Sequence, residues 1–492
     1  MTHPLEVTLA AWLAQEEAKR QENVILARNY YAGDHKVPLT ERQKAFLGFN
    51  APDSRFALNY CAIVVNAVAE RMIVERFSTD TNNEALEEWA KDLWRENRMD
   101  QHQQDTHRKA VCDAEHFVIV DWDEEAERPR LSPHPRYTDP TVKGDGFGCK
   151  AHYPDDDPTQ PMKYASKRWT ETTWDGPKRI TVRHLNLYYP DRVEWYALAG
   201  GGETTDWVLD HVEPWTVGGT TPGAYNSDGM WVPNETAEPR GIPVFHFLNT
   251  DEQSELWDAI PIQDAINKTA LDILGAADSA GFPILIMRGG HATTDGKEPE
   301  SDGSNYLKFH PGMILSGIDP AGGVERLPPA DLMPMLNTLD SLIFKLAQVT
   351  GTPMTRFMTS RQIAAEGTLK QQEEPLLAKI RSKQTTFGNA WEDAMSMARK
   401  LDNEFGGKGL DEEVLFETEW VPAQTRDEMA EDKAFWEAAG AARRAGCPLP
   451  VWLELQGWDE AKIAKVVESD EYKERQAMTH MNLEMARGAP NA

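Results

Sequence analysis

The stretch DQHQQDTHRKAVCDAEHF (100–117) holds the side chains that ligate metals or move protons in one short span. On a helix His102 and His107 stand five apart, about 140° around the axis, so they diverge. Cys112 and His116 are four apart and share a helical face, yet no HExxH or comparable ligand set accompanies them. A polar helix surface is therefore the expectation, with a metal-dependent hydrolase using His102, Cys112 and His116 as the chemical alternative. The acidic runs DWDEE (121–125) and DDDP (155–158) lack the 12-residue spacing of a calcium loop and read as solvated turns. No GxSxG nucleophile elbow and no GxxxxGK[ST] phosphate loop is present. GDGFG (144–148) and GGKG (406–409) lack the strand-to-helix context that lets backbone N–H groups cradle a phosphate. The TGT at 350–352 follows a helical pattern, so it reads as a stop: Gly351 left-handed, Pro353 preventing continuation. Nothing here specifies an enzyme, and no cofactor is expected.

The elements that would position these residues alternate in texture. The first hundred residues read as helices, with NYCAIVVNAVAERMIVERF (59–77) apolar at 61, 64, 65, 68, 72 and 73. Residues 84–120 continue the helical pattern until HFVIVDW, which reads as a strand. From 121 to 249 short β-branched and aromatic runs alternate with Gly, Pro, Thr and Asp turns. RITVRHLNLYY (179–189) and RVEWYALA (192–199), joined at Pro190-Asp191, predict a hairpin, and GIPVFHFLN (241–249) another strand. GGTTPGAYNSDGMW (218–231) reads as an exposed loop. Helices return at SELWDAIPIQDAINKTALDILGAAD (254–278), then a β-like insert spans 282–327. A second helix over 331–349 carries apolar residues at 332, 335, 336, 339, 342, 343, 346 and 349. A polar, Met-dotted stretch precedes a long helix (376–405) with the stripe Leu376, Ile380, Phe387, Trp391, Ala394, Ala398 and Leu401. Short helices form the tail, one ending at Gly446. The order is α+β, without the βαβ rhythm of a doubly wound sheet.

Bulk composition narrows the partners. The 492 residues carry 51 basic and 80 acidic side chains, a net charge of −29. Such a field repels nucleic acid and acidic membranes on average, so any contact with DNA must be local and weak. The four cysteines, Cys61, Cys112, Cys149 and Cys447, form no CxxC pair, which favours a reducing compartment over a disulfide framework. No run of about 18 apolar residues exists, and the N-terminal apolar stretch contains acids, so a soluble chain without a signal peptide or membrane span is expected. One window departs from the acidic background. Between 341 and 385 stand Lys345, Arg356, Arg361, Lys370, Lys379, Arg381 and Lys383 against Glu366, Glu373 and Glu374, a local +4. Cations near a helix C-terminus explain part of this; weak contact with a polyanion is the sharper reading.

The joint order of YYAGDH (30–35), the 59–77 helix, GIPVFHFLN, the two helices flanking the 282–327 insert, and PLPVWLELQGWDEAKIAKVVESDEYKE (448–474) resembles the portal proteins of tailed bacteriophages, in the branch typical of phages of Gram-positive hosts. The resemblance implies a portal-type fold: helical stem, small clip, mixed wing and helical crown. Mapped onto this chain, the stem is 254–278 and 331–350, the clip 279–330 and the tunnel loop 351–374. The wing combines 1–253 with 375–425, and the crown is 426–492. It further implies a homo-oligomeric ring, usually of twelve subunits, at one capsid vertex of the virion, with double-stranded DNA passing through its channel during packaging and ejection. Lys345, Met354, Thr355, Arg356, Met358, Thr359 and Arg361 would then line the channel, with Met354, Phe357 and Met358 as a soft apolar tip. Arg288, Lys308, Phe309 and Arg326 would belong to the docking clip. The implied partners are the large terminase, the major capsid and scaffolding proteins and a head-completion or adaptor protein, met in the host cytoplasm during assembly. Another capsid or head–tail structural component is the alternative within the structural class.

Overall fold

The computed structural model describes residues 10–35, 56–138, 148–176, 178–199, 207–281, 285–288, 323–326, 331–357, 366–424, 428–456 and 463. The chain divides into two compact units, Met1–Ala423 and Gln424–Ala492. No helix among the described residues is long and apolar enough to cross a membrane.

The first unit begins with helices α1 (Ala10–Ala32) and α2 (Cys61–Ala69), strand β1 (Val74–Thr79), and helices α3 (Glu84–Glu96) and α4 (Met99–Asp113). α3 starts where the Asn83 side chain accepts from Leu86 N–H, and it buries Leu86, Trp89, Ala90 and Leu93 at helical spacing. Asn97 then hands over to Arg98, whose left-handed backbone (φ 54°) separates α3 from α4. Ala114, also left-handed, turns the chain into β2 (Glu115–Asp123). β2 lies between β3 (Arg128–Pro135) and β11 (Val244–Leu248) in an antiparallel sheet. Its inner run from Glu115 to Val120 is buried throughout.

Against this sheet packs the long helix α7 (Glu366–Glu404). Every residue of its expected stripe, from Leu376 and Ile380 through Trp391 to Leu401, is fully buried. A second antiparallel sheet runs β4-β5-β6-β7-β8: Cys149–His152, Tyr164–Asp175, Lys178–Tyr188, Arg192–Ala199 and Val208–Pro214. The hairpin at Pro190-Asp191 forms as expected, with Tyr188 opposite Val193. Ala165, Tyr188 and Val193 join the main core, while Leu185, Leu187 and Tyr196 build a smaller one.

Four local readings are corrected. Residues 59–77 are not one helix. α2 stops at Ala69, and β1 pairs with β14 (Phe416–Trp420), more than three hundred positions away. The 218–231 loop contains a short hairpin, β9 (Gly223–Tyr225) with β10 (Trp231–Pro233). It is held to β7 by a buried Glu194 that accepts from Tyr225 (2.6 Å), Tyr196 (2.9 Å) and Arg192 (2.6 Å). The long helix starts at Glu366 and keeps Pro375 inside it. Finally, Cys112 and His116 do not share a helical face, because the helix ends between them.

The second unit contains α8 (Glu428–Arg444) and α9 (Leu449–Leu455), joined through Gly446 at φ 96°. Phe435 meets Trp452 edge-on at 4.8 Å between ring centroids.

Candidate functional site

Two helices form the element pair that the sequence singles out: α5 (Ala259–Gly281) and α6 (Met333–Thr350), which pack on one another. Pro334 sits in the first turn of α6, where a missing N–H leaves no bond broken. Ile343, Leu346 and Ala347 of α6 are buried, as are Ile266, Ala270 and Leu271 of α5. Their other faces remain apolar and exposed at Leu274, Met333, Leu336, Phe344 and Val349. Of the insert between them, Leu285–Arg288 and Gly323–Arg326 (β12 and β13) form an antiparallel ladder that places Arg288 opposite Gly323 and Arg326 opposite Leu285. Lys308 and Phe309 lie outside the described residues.

α5 is anchored to the N-terminal helices by polar side chains. Gln263 Oε1 accepts from Tyr60 N–H (3.0 Å) while its Nε2 donates to Leu58 carbonyl (2.6 Å). Asn267 accepts from Leu58 N–H (3.0 Å), and Tyr30 donates to Asp264 (2.5 Å). Gln263 and Asn267 are completely buried, so these bonds fix the angle at which α5 leaves the body.

α6 ends as the sequence requires. Gly351 takes φ 64°, and an added Cβ would find its nearest neighbour at 3.7 Å, so the left-handed backbone rather than crowding calls for glycine. Thr350 hydroxyl donates to Leu346 carbonyl (2.8 Å), and Thr352 N–H closes onto Ala347 carbonyl (3.0 Å). Next comes a single 3₁₀ turn, Met354–Arg356. Met354 and Phe357 are half-buried against the main core, Phe357 at 5.8 Å from the Tyr60 ring, so they are not a free apolar tip. Thr355 is exposed. Arg356 reaches Glu70 at 3.1 Å, both side chains well exposed. Lys345 is exposed and donates to Gln348 (3.3 Å). Met358, Thr359 and Arg361 lie outside the described residues.

The basic window changes meaning in three dimensions. Lys379 donates to both Glu255 (2.6 Å) and Thr350 carbonyl (2.8 Å). Lys383, 1 % exposed, binds Glu255 (2.6 Å) and the Asn249 side chain. Burial alone would raise the Glu255 carboxyl, but Lys383 and Lys379 hold it below the usual range. On Lys383 burial outweighs the attraction of Glu255 and pushes the ammonium down. Arg381 pairs with Glu374 (3.3 Å). Among the five cations of the window whose side chains are described, Arg356, Lys379, Arg381 and Lys383 are thus engaged by carboxylates, and the Glu255 cluster ties the end of β11, the approach to α5 and the end of α6 to α7. Sequence reasoning missed Glu255, Gln263 and Asn267, whose partners are remote in the chain.

The chemical alternative has no support in geometry. His102 is exposed, while Cys112 and His116 are buried. Burial raises the Cys112 thiol and drives the His116 imidazole well below its ordinary range. Among the described residues no three His, Cys, Asp or Glu side chains come together in a way that could hold a metal.

A family model described as phage portal protein, SPP1 Gp6-like, matches residues 10–134 and 168–446. The chain belongs to that family of phage portal proteins. It is 25% identical over 265 residues to the portal protein of Mycobacterium phage D29 and 24% identical over the same length to that of Mycobacterium phage L5. Each alignment covers 50% of this chain and 54% of the relative, so the chain spans about half the length of the curated relatives it matches. A solved structure titled as the neck of a native GTA particle, computed with C12 symmetry, covers 87% of this chain and 99% of its own. Its identity is 13% and its TM-score 0.36, an overlay too loose to carry an argument.

Proposed function

We propose that this chain is the portal subunit of a phage virion. In this reading it is a structural protein that assembles into a homo-oligomeric ring at one capsid vertex and conducts double-stranded DNA without changing it. The observation that carries the reading is the family match, which runs through both helices α5 and α6 and through α7. The exposed apolar face of the helix pair supports assembly: Leu274, Met333, Leu336, Phe344 and Val349 lie beyond the packing that one copy provides. Ring closure by a repeated, head-to-tail interface would cover such a face in every subunit. α5 and α6 then act as the stem, the β12–β13 insert as the clip, and the turn after α6 as the start of a channel-facing segment. The terminase motor, the capsid and scaffolding proteins and a head-completion protein are the partners this role calls for.

In a ring, each channel residue repeats once per subunit, so a single Arg356 becomes a collar of charge. The acidic remainder of the chain and the Glu70 pairing keep its grip on phosphate weak, which suits DNA that must slide. Electron microscopy of the purified protein tests the reading. Rings with an axial channel are expected, and Leu336→Ser with Phe344→Ser should shift the population to monomers. Monomers or dimers for the unaltered chain at every salt concentration would refute it.

A further inference from the structure

Helix α2 touches both α5 and the turn that follows α6. At its start, Tyr60 N–H donates to Gln263 of α5 (3.0 Å), and the Tyr60 ring meets Phe357 (5.8 Å). At its end stand Glu70 and Arg71, whose N–H groups close onto the Asn66 (3.0 Å) and Val68 (3.2 Å) carbonyls. Six of the nine residues of α2 are buried, so this last turn is a fixed support.

The two adjacent side chains have opposite charges and opposite partners. Glu70 holds Arg356 in the turn after α6 (3.1 Å), and Arg71 holds Glu373 near the start of α7 (3.0 Å). Consecutive Cα atoms stand about 3.8 Å apart, so one dipeptide fixes where the turn and α7 lie relative to each other. Exchanging the partners would set like charges face to face, so only one arrangement is favourable. Neighbouring charges have partners of their own. Asp105, which lines the same recess as Glu70, pairs with Arg108 and with Lys109 (2.5 Å to the latter), and Glu374 pairs with Arg381 (3.3 Å).

The two grips differ in strength. The side chains of Glu70 and Arg356 are 56 % and 38 % exposed, those of Arg71 and Glu373 only 11 % and 19 %. Salt and water weaken the first pair far more than the second.

We propose that Glu70 and Arg71 are positioning residues for DNA conduction, an inference that rests on the portal reading. Arg71 keeps Glu373 in place, while Glu70 holds Arg356 by a pair weak enough for a backbone phosphate to replace it. A phosphate oxygen offers the guanidinium the same geometry as the carboxylate. Arg356 therefore exchanges Glu70 for a passing phosphate and returns to Glu70 afterwards, with the α7 side held throughout.

Hydrogen exchange on the purified full-length protein tests the two grips separately. The Arg356 and Phe357 amides, which donate to the Pro353 and Met354 carbonyls (3.0 Å each), report on the first. The helical amides 373–377 report on the second. Glu70→Gln should speed exchange at 356–357 about two- to fivefold, the range of an exposed pair, and leave 373–377 unchanged. Raising salt from about 0.1 M to about 1 M should do the same in the unaltered protein and add nothing in Glu70→Gln. Glu373→Gln should speed 373–377 at least about tenfold. Unchanged exchange at 356–357 in Glu70→Gln, unchanged exchange at 373–377 in Glu373→Gln, or salt that speeds both sets alike overturns the proposal. In particles, Glu70→Gln should slow DNA packaging with rings intact, because Arg356 then has no carboxylate to return to. Packaging at the unaltered rate overturns the exchange with phosphate. Hydrogen exchange reads the two grips whatever the assembly, so an unaltered chain that forms no rings would refute the portal reading without changing that result.

Discussion

Acidifying the protein from pH 7 to pH 5 should remove about 2 kcal/mol of stability from the Met1–Ala423 unit through one side chain, His107. The imidazole is 0 % exposed and occupies the centre of the aromatic core, between Phe387 (5.6 Å) and Trp391 (5.9 Å). Nδ1 donates to Met72 carbonyl at 2.8 Å, and Nε2 accepts from the Trp391 indole at 2.9 Å. Both nitrogens are engaged only in the neutral tautomer, because a second proton would face the indole N–H. Burial, opposed by the bond to Met72, pushes this histidine down from 6.5 to about 4.

The unfolded chain therefore takes up a proton near pH 6.5 that the folded chain refuses until about pH 4. The associated stability is complete above pH 6.5, falls as pH drops through that window, and levels off below pH 4. The full window is worth about 3 kcal/mol, and the part between pH 7 and 5 about 2 kcal/mol. Urea midpoints followed by far-UV circular dichroism across this range measure the slope. His107→Gln and His107→Phe should each lose stability at pH 7, the second more because it strands the Trp391 N–H and Met72 carbonyl. Both should flatten the pH dependence by the same amount. A slope between pH 7 and 5 unchanged in both variants would refute the assignment.

Further expectations concern the helix-pair junction. Lys383→Met should destabilise the fold by about 3 kcal/mol, at the lower end for an orphaned buried carboxylate because Lys379 still holds Glu255, read as a shift in the urea midpoint. Arg356→Ala should cost less than about 1 kcal/mol, since its pair with Glu70 is exposed, while lowering DNA packaging in particles whose rings assemble normally. Packaging at the unaltered level would remove Arg356 from the channel. Gly351→Ala should cost roughly 1–2 kcal/mol through its positive φ alone, with no steric penalty, so Gly351→Asn should be milder in thermal melts.

Much of the local structure was legible because its causes are local. The α7 stripe, the Gly351 stop and the Pro190-Asp191 hairpin each follow from periodicity or a turn residue within a few positions. β1 was not legible. Its apolar spacing fits a helix, and only pairing with Phe416–Trp420 makes it a strand. The start of α7 was missed for a related reason, since Pro375 reads as a boundary although the helix continues through it.

The amino-acid sequence by itself determined the element order, the acidic background, the two amphipathic helices and the family resemblance, which the match over 10–134 and 168–446 bears out. Only the tertiary structure decided what the basic window is. Charge counted along the chain ignores partners that are distant in sequence, and Glu70 and Glu255 reach Arg356, Lys379 and Lys383 only through folding. Coulomb attraction falls with distance in space, not with separation along the chain. Of the cations that read as one polyanion-binding patch, Lys379 and Lys383 therefore become ion pairs that join α7 to the approach to α5, while Arg356 pairs with Glu70 and Arg381 with Glu374.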